Sequence, residues 1–189
     1  MWNIPNLLTL LRILLIPVFV AVFYAPLPWA RLAATLVFSA AAITDWLDGW
    51  LARRWGQTSP LGAFLDPVAD KLMVAVALVL LVQADPRAAL ALPAAVIIGR
   101  EIAVSALREW MAELGARTRV AVSMAGKFKT IAQMVAILLL ILETPLLGLP
   151  LYELGLVLLY IAAFLTLWSM LLYLRAAWPS LTAQQPGKG

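Results

Sequence analysis

The chain has 189 residues, of which 64% are hydrophobic and only 13% are charged, and its mean hydropathy is +0.95. Soluble domains are about half apolar and about one quarter charged, so this composition predicts a polytopic helical membrane protein instead. The absence of cysteine and histidine excludes thiolate chemistry, histidine bases and histidine metal ligands. The net charge of +4 is spread over loops and helix ends, which favours contact with anionic lipid and argues against nucleic acid.

Six apolar segments follow one another along the chain, each near the ~20 residues that a helix needs to cross a bilayer. Prolines and glycines separate them, and the first segment lacks a cleavage site, so it is predicted to be a retained helix. We predict an all-α protein with six transmembrane helices in one domain over residues 1–178, followed by a short polar tail over 179–189. The predicted spans are 5–25, 30–54, 64–84, 88–111, 121–143 and 150–175.

The distribution of basic residues predicts the orientation of these spans. Six basic residues fall on the side that holds both termini, whereas only Arg31 and Arg87 fall in loops of the opposite side. The positive-inside rule therefore places both termini and the loop over residues 53–62 in the cytoplasm.

Four aspartates interrupt the second and third apolar segments. Asp45 and Asp48 are three residues apart, Asp66 and Asp70 are four apart, and each spacing places a pair on one helix face. A carboxylate at membrane depth is costly and is rare there without a function. Two antiparallel helices that present these faces to each other would gather all four carboxylates near the cytoplasmic surface. Ligation by oxygen alone favours Mg²⁺, Mn²⁺ or Ca²⁺, so the pattern predicts a divalent-cation site.

Small and basic residues accompany the aspartates. Gly49 and Ala52 lie on the helix of the first pair and would let a ligand approach the backbone, although small residues also line interfaces between membrane helices. The alternative to a cation site is a set of ion pairs, which does not require this spacing. The candidate partners for such pairs are Arg53, Lys71, Arg100 and Arg108.

The spacing of these residues resembles the motif of the CDP-alcohol phosphotransferases. The matching positions are Asp45, Asp48, Gly49, Ala52, Arg53, Gly62, Asp66 and Asp70. The resemblance implies a six-helix membrane enzyme, usually a homodimer, that cleaves a CDP-linked lipid and releases CMP. It also implies that the four aspartates bind Mg²⁺ or Mn²⁺ and that Asp70 doubles as a base. The other seven matched residues would bind the CDP moiety.

Three further stretches resemble the bacterial phosphatidylglycerophosphate synthases, a branch of the same family. These stretches are residues 3–12, 100–112 and 126–130. The resemblance implies CDP-diacylglycerol and glycerol 3-phosphate as substrates, one or two divalent cations, and a multi-pass location in the bacterial cytoplasmic membrane. Family members with another acceptor remain alternatives, namely cardiolipin, phosphatidylinositol-phosphate and phosphatidylserine synthases. A divalent-cation transporter is a remote alternative from another class.

Basic residues of the fourth and fifth segments are candidates for binding the acceptor phosphate. Arginine grips phosphate with two donors and lysine acts as a point charge, whereas snorkelling to lipid headgroups is the alternative role. The candidates are Arg108, Lys127, Arg100 and Lys129. Asn6, Thr9 and Arg12 in the first segment could contact the nucleotide or the acceptor, with a helix cap or an interfacial role as the alternative.

Overall fold

The computed structural model describes residues 4–55, 60–113, 124–143 and 148–182, and six α-helices account for almost all of them. The helices are α1 (Ile4–Phe23), α2 (Ala30–Trp55), α3 (Pro60–Ala84), α4 (Ala88–Glu113), α5 (Met124–Leu142) and α6 (Leu151–Thr182). The prediction of an all-α protein is confirmed, and each predicted span overlaps one helix. Helix α6 continues into the predicted polar tail, whose last residues lie outside the described part of the chain.

Several of the described helices are long and apolar enough to cross a membrane. The four stretches that meet this criterion are Asn6–Phe23, Ala30–Leu51, Ala88–Met111 and Leu151–Arg175. Helix α5 adds the shorter apolar stretch Phe128–Leu142, and α3 carries Asp66, Asp70 and Lys71 in its first half. The chain is therefore a membrane protein, and the six spans and the cytoplasmic termini stay predictions.

One core unites all six helices. Each helix contributes a buried apolar side chain that is at most 1% exposed, and these are Phe19, Phe38, Leu78, Ile97, Ile137 and Leu159. Each helix also carries a large apolar side chain that is more than 60% exposed, and these are Leu14, Leu36, Phe64, Ile102, Ile131 and Phe164. Apolar surface on every helix of a packed bundle is the arrangement that a lipid environment requires.

Helix α1 bridges the two helices that carry the aspartates. It packs extensively against α2 and also against α3, whereas α2 and α3 touch each other at only a few residues. Helices α5 and α6 form the other extensive pair. A side chain at Gly155 would come within 3.1 Å of the carbonyl oxygen of Ala136, so the small residue permits this close approach.

The hydroxyl groups in the first half of α2 are satisfied within the helix itself. Thr35 Oγ1 donates a hydrogen bond to the carbonyl of Arg31 at 2.8 Å, and Ser39 Oγ donates to the carbonyl of Thr35 at 2.7 Å. Such bonds remove the need for another partner in hydrocarbon. These hydroxyls are therefore accounted for by helix structure alone.

Polar contacts join the helix ends that lie away from the four aspartates. Arg87 Nε and Nη2 donate to the two Asp85 carboxylate oxygens at 2.7 and 2.8 Å, and the guanidinium lies 5.3 Å from the centroid of the Tyr152 ring. The Tyr152 hydroxyl also donates to Asp85. We call these three residues the Asp85 cluster. Beside it, Arg31 at the start of α2 pairs with Glu143 after α5 at 3.1 Å.

Candidate active site

The four aspartates lie close together on α2 and α3. The charges of Asp45 and Asp66 act on Asp48, and those of Asp45 and Asp48 act on Asp70. Asp48 is buried, whereas the side chain of Asp45 is 40% exposed. These four residues form what we call the carboxylate cluster, and a ligand can reach it from the side of Asp45.

The positive partner of the carboxylate cluster comes from α1. Arg12 Nη1 lies 2.8 Å from Asp45 Oδ1, an ion-pair distance without hydrogen-bond alignment, and Arg12 Nη2 donates to Asp48 Oδ2. Arg12 is only 1% exposed. A buried guanidinium needs carboxylate partners to offset the loss of water, and here it lies against both carboxylates of α2.

A polar stripe on α1 explains how this helix reaches both aspartate pairs. Asn6, Thr9 and Arg12 recur every three residues, lie on one helix face and are all buried. Thr9 Oγ1 donates a hydrogen bond to Asp66 Oδ1 on α3. Three helices therefore build the carboxylate cluster, rather than two helices that face each other as the sequence predicted.

The donor atoms of the carboxylate cluster suit a hard divalent cation. The four side chains offer only oxygen, the ligand that Mg²⁺ and Mn²⁺ prefer. Within the described residues no three acidic side chains converge at metal-ligand distances, and Asp45 and Asp48 are both drawn to Arg12. The residues fit a cation by the chemistry of their donor atoms, with Arg12 as an additional charge within the same site.

The remaining positions of the matched motif lie on the same two helices. Gly49 is half-buried on α2, and Gly62 is buried on α3, one turn before Asp66. Ala52 and Arg53 also belong to α2, but their side chains lie outside the described part of the structure.

Two of the four basic candidates for the acceptor phosphate meet at one acidic side chain. Arg100 Nη1 and Lys129 Nζ lie 3.0 and 2.7 Å from Glu101 Oε1, and Arg100 Nη2 donates to Ser169 at 2.9 Å. Lys129 is buried, and the side chain of Arg100 is only 12% exposed. We call Arg100 and Lys129 the basic patch, because two cations there share a single carboxylate.

The other two basic candidates extend from this patch. The Arg108 guanidinium lies 5.5 Å from the centroid of the Tyr173 ring on α6, a cation–π contact on an exposed side chain. The charges of Arg100 and Arg108 both act on Lys129, so these three side chains share one region. Lys127 belongs to the first turn of α5, and its side chain lies outside the described residues.

Lys71 links the basic patch to the carboxylate cluster. It follows Asp70 on α3 and donates to Ser105 Oγ on α4, and the Ser105 hydroxyl donates to the carbonyl of Glu101 at 2.6 Å. The charge of Glu101 also acts on Asp70. The basic patch and the carboxylate cluster are therefore neighbours across the α3–α4 contact.

Arg12 was expected as a possible contact of the nucleotide or the acceptor, and its ion pairs with Asp45 and Asp48 were not predicted. Among the expected ion-pair partners of the aspartates, Lys71 contacts Ser105 and Arg100 contacts Glu101. A signal for Arg12 was present, because three polar residues at a spacing of three on an apolar helix form a polar face, which needs buried polar partners. Ser169 and Tyr173, by contrast, belong to no sequence pattern that would have predicted their contacts.

Comparison with known proteins defines the class of this chain. The model of the CDP-alcohol phosphatidyltransferase family matches residues 2–168, so the chain belongs to this family. The resemblance inferred from the aspartate motif is confirmed by this match.

Individual relatives are similar over nearly the whole chain. A CDP-diacylglycerol--glycerol-3-phosphate 3-phosphatidyltransferase from Pseudomonas fluorescens is 62% identical over 182 residues, which cover 95% of this chain and 92% of the relative. Proteins of the same name from Escherichia coli (strain K12) and Shigella flexneri serotype 5b are each 55% identical over 183 residues, covering 97% of this chain and 99% of each relative.

Proposed function

We propose that this chain transfers the phosphatidyl group of CDP-diacylglycerol to glycerol 3-phosphate, giving phosphatidylglycerophosphate and CMP in phospholipid biosynthesis. The observation that carries the proposal is the 55–62% identity to transferases of that name over at least 95% of the chain. The carboxylate cluster and the adjacent basic patch supply the chemistry that such a reaction needs.

The reaction exchanges the phosphoanhydride bond of CDP-diacylglycerol for a phosphate ester bond to glycerol 3-phosphate. The glycerol hydroxyl oxygen forms a bond to the lipid-side phosphorus, the bond from that phosphorus to the bridging oxygen breaks, and CMP leaves with the electron pair. Phosphoryl transfer asks a protein mainly for positioning and for stabilisation of charge. Direct displacement by the hydroxyl fits a chain that contains neither histidine nor cysteine.

The carboxylate cluster is the proposed site for one or two Mg²⁺ or Mn²⁺ ions, with Asp45, Asp48, Asp66 and Asp70 as ligands. When bound, such ions would offset the charge of the diphosphate and of the departing CMP. The first three aspartates are also assigned to the CDP moiety, together with Gly49, Ala52, Arg53 and Gly62. The two glycines leave the backbone of α2 and α3 open to close approach.

Asp70 is the proposed base, which accepts the proton of the attacking hydroxyl. Its position supports this role. Asp70 belongs to the carboxylate cluster, and the charge of Glu101, which contacts the basic patch, also acts on it. An acceptor whose phosphate binds the basic patch would therefore have Asp70 close by.

The acceptor phosphate is assigned to Arg100, Lys129, Arg108 and Lys127. In the basic patch two cations share Glu101, so positive charge remains for an anionic substrate. Arginine would grip the phosphate with paired donors, and lysine would add a point charge.

The proposed topology has six spans in one domain over residues 1–178, with both termini in the cytoplasm and the site near the cytoplasmic face of the bacterial inner membrane. The loop charges support this orientation through the positive-inside rule. Family resemblance is the support for a homodimer.

Release of CMP tests the proposed function. Purified protein in detergent with CDP-diacylglycerol and Mg²⁺ is expected to release CMP only when glycerol 3-phosphate is added. Equal release with inositol phosphate, serine or phosphatidylglycerol would contradict the choice of acceptor and indicate one of the sister synthases. Uptake of metal into vesicles without release of CMP would contradict the transferase and support a transporter.

A further inference from the structure

Arg12 lies beneath the carboxylates rather than beside the opening of the site. The guanidinium is 1% exposed, whereas the Asp45 side chain that it contacts is 40% exposed. A ligand that arrives from outside the bundle therefore meets the carboxylates before it meets Arg12.

We infer that Arg12 is a positioning residue that holds Asp45 and Asp48 together and whose positive charge limits how tightly the carboxylate cluster binds a divalent cation. This inference rests on the cation site of the proposed function. It adds a role for α1, which carries none of the four aspartates.

The contacts leave room for both partners at the same carboxylates. In the contacts described, Arg12 approaches Oδ1 of Asp45 and Oδ2 of Asp48, which is one oxygen of each carboxylate. An ionised carboxylate accepts several partners through its two oxygens. Arg12 and a cation can therefore contact one carboxylate pair together, and their like charges then repel each other.

The sign of the effect follows from the charges. Asp45 and Asp48 repel each other across one turn of α2, and the guanidinium offsets this repulsion. A positive charge a few ångströms from a bound cation weakens the binding of that cation, most strongly where little water lies between them. Removal of the charge of Arg12 should therefore strengthen cation binding while it loosens the geometry of the pair.

Thr9 provides a neutral comparison on the same helix face. Its hydroxyl donates a hydrogen bond to Asp66 and adds no charge to the carboxylate cluster. If charge governs the affinity for cations, then loss of the Thr9 hydroxyl should leave that affinity nearly unchanged.

The test is a calorimetric titration of metal-free protein in detergent with Mn²⁺, without any substrate. We expect Arg12→Gln to bind Mn²⁺ about tenfold more tightly than the wild type or better. Arg12→Lys keeps the charge, and Thr9→Val removes only a neutral donor, so both should stay within about threefold of the wild type. Arg31→Gln, which removes a half-buried arginine near the Asp85 cluster, is the matched control and should leave the affinity unchanged.

Unchanged affinity in Arg12→Gln would overturn the inference and reduce Arg12 to a structural role. Weaker binding would overturn it as well, because geometry would then outweigh charge. Thermal denaturation adds a second measurement: Mn²⁺ should raise the Tm of Arg12→Gln by more than it raises the wild-type Tm. If Arg12→Gln does not fold, Arg12→Lys decides, since a change beyond about threefold contradicts the role of charge.

The outcome is separate from that of the proposed function. If the wild type releases CMP only with glycerol 3-phosphate and Arg12→Gln binds Mn²⁺ with unchanged affinity, then the inference is contradicted and the proposed function is not. If Arg12→Gln binds Mn²⁺ more tightly and the wild type releases CMP with a different acceptor, then only the proposed acceptor is contradicted.

Discussion

Both ends of the helix bundle pair an arginine with aspartate, in opposite surroundings. Arg12 is 1% exposed and lies against Asp45 and Asp48, whereas the side chain of Arg87 is 66% exposed and grips Asp85. Exposed pairs contribute little because water and salt screen them, while breaking a buried pair leaves a charge without compensation. Burial, and not the chemistry of the pair, therefore distinguishes the ion pair in the proposed site from the ion pair at the surface.

The two pairs also differ in how the chain brings them together. Asp85 and Arg87 are two residues apart, so a local turn suffices. Arg12 and Asp48 are 36 residues apart and meet only when α1 packs against α2. The Asp85–Arg87 contact therefore tests local structure, whereas the contact between Arg12 and Asp48 tests the assembled bundle.

The largest expected difference between the two ends lies in the chemical step. Asp70→Asn should lower kcat for CMP release by about 10³-fold, because a positioned base contributes about 10²–10⁴-fold. The same change at the other end, Asp85→Asn, should alter kcat by less than about twofold, since that carboxylate touches no part of the site. Binding of CDP-diacylglycerol to Asp70→Asn should persist, measured by thermal shift. Lost binding would make Asp70 chiefly a metal ligand, and an equal loss in both variants would remove the distinction between the ends.

Loss of a charge from the basic patch should weaken the binding of glycerol 3-phosphate. Lys129→Gln is expected to raise the KM for glycerol 3-phosphate about tenfold or more while the KM for CDP-diacylglycerol stays constant, because a charged hydrogen bond contributes about 1.5–3 kcal/mol. Arg31→Gln at the other end serves as the control and should change neither KM. If both KM values of Lys129→Gln rose together, Lys129 would act through structure and not through the acceptor.

A smaller effect is expected from the polar stripe of α1. Thr9→Val should lower kcat/KM about tenfold, because Asp66 loses a hydrogen bond to its charged carboxylate, and Thr9→Ser should restore most of the activity. Thr35→Val is the matched control, since the Thr35 hydroxyl bonds only to a carbonyl of its own helix among the contacts described. Steady-state rates of CMP release measure both. Equal losses in Thr9→Val and Thr35→Val would mean that the stripe has no special connection to the site.

The smallest effect is expected for stability at the Asp85 cluster. Hydrogen bonds from Arg87 and Tyr152 hold the pKa of the Asp85 carboxyl well below its usual range. A lowered pKa in the folded state gives stability that is present above the ordinary Asp pKa of about 3.9 and is lost as the pH falls through the lowered value.

Asp85→Asn should therefore lower the Tm by about 3 °C or less, as expected for an exposed pair. The difference from the wild type should be constant between pH 8 and pH 5 and shrink below about pH 4. Thermal denaturation followed across this pH range checks the prediction. A difference that instead grew on acidification would contradict the assigned pairing.

The sequence predicted the positions of the helices better than it predicted which helices pack against each other. Apolar length and the breakers between segments located all six helices, because lipid leaves a backbone few alternatives to the helix. Spacing also placed each aspartate pair on one face, since the helical period fixes that relation. Which helix covers those faces depends on tertiary packing. We expected α2 and α3 to contact each other directly, but they touch at only a few residues, and α1 packs against both of them.

For the site residues, the sequence predicted those that give a local signal and missed the contacts between residues far apart in the chain. Asp45, Asp48, Asp66 and Asp70 stood out because carboxylates are rare in apolar segments. Arg12 was noted as a possible contact of the substrates, but its pairing with two carboxylates of α2 requires the packed helices. The sharing of Glu101 between Arg100 and Lys129 depends in the same way on tertiary packing, because α4 and α5 both pack against α6.

The sequence by itself determined that this protein is helical, lies in a membrane and carries a motif of aspartates, because hydropathy and helical period act over short distances. Only the tertiary structure decided that Arg12 and Thr9 on α1 hold the carboxylates of two other helices, and that Lys71 and Ser105 join the carboxylate cluster to the basic patch. These contacts depend on the shapes of packed surfaces, which bring together residues that no local rule connects.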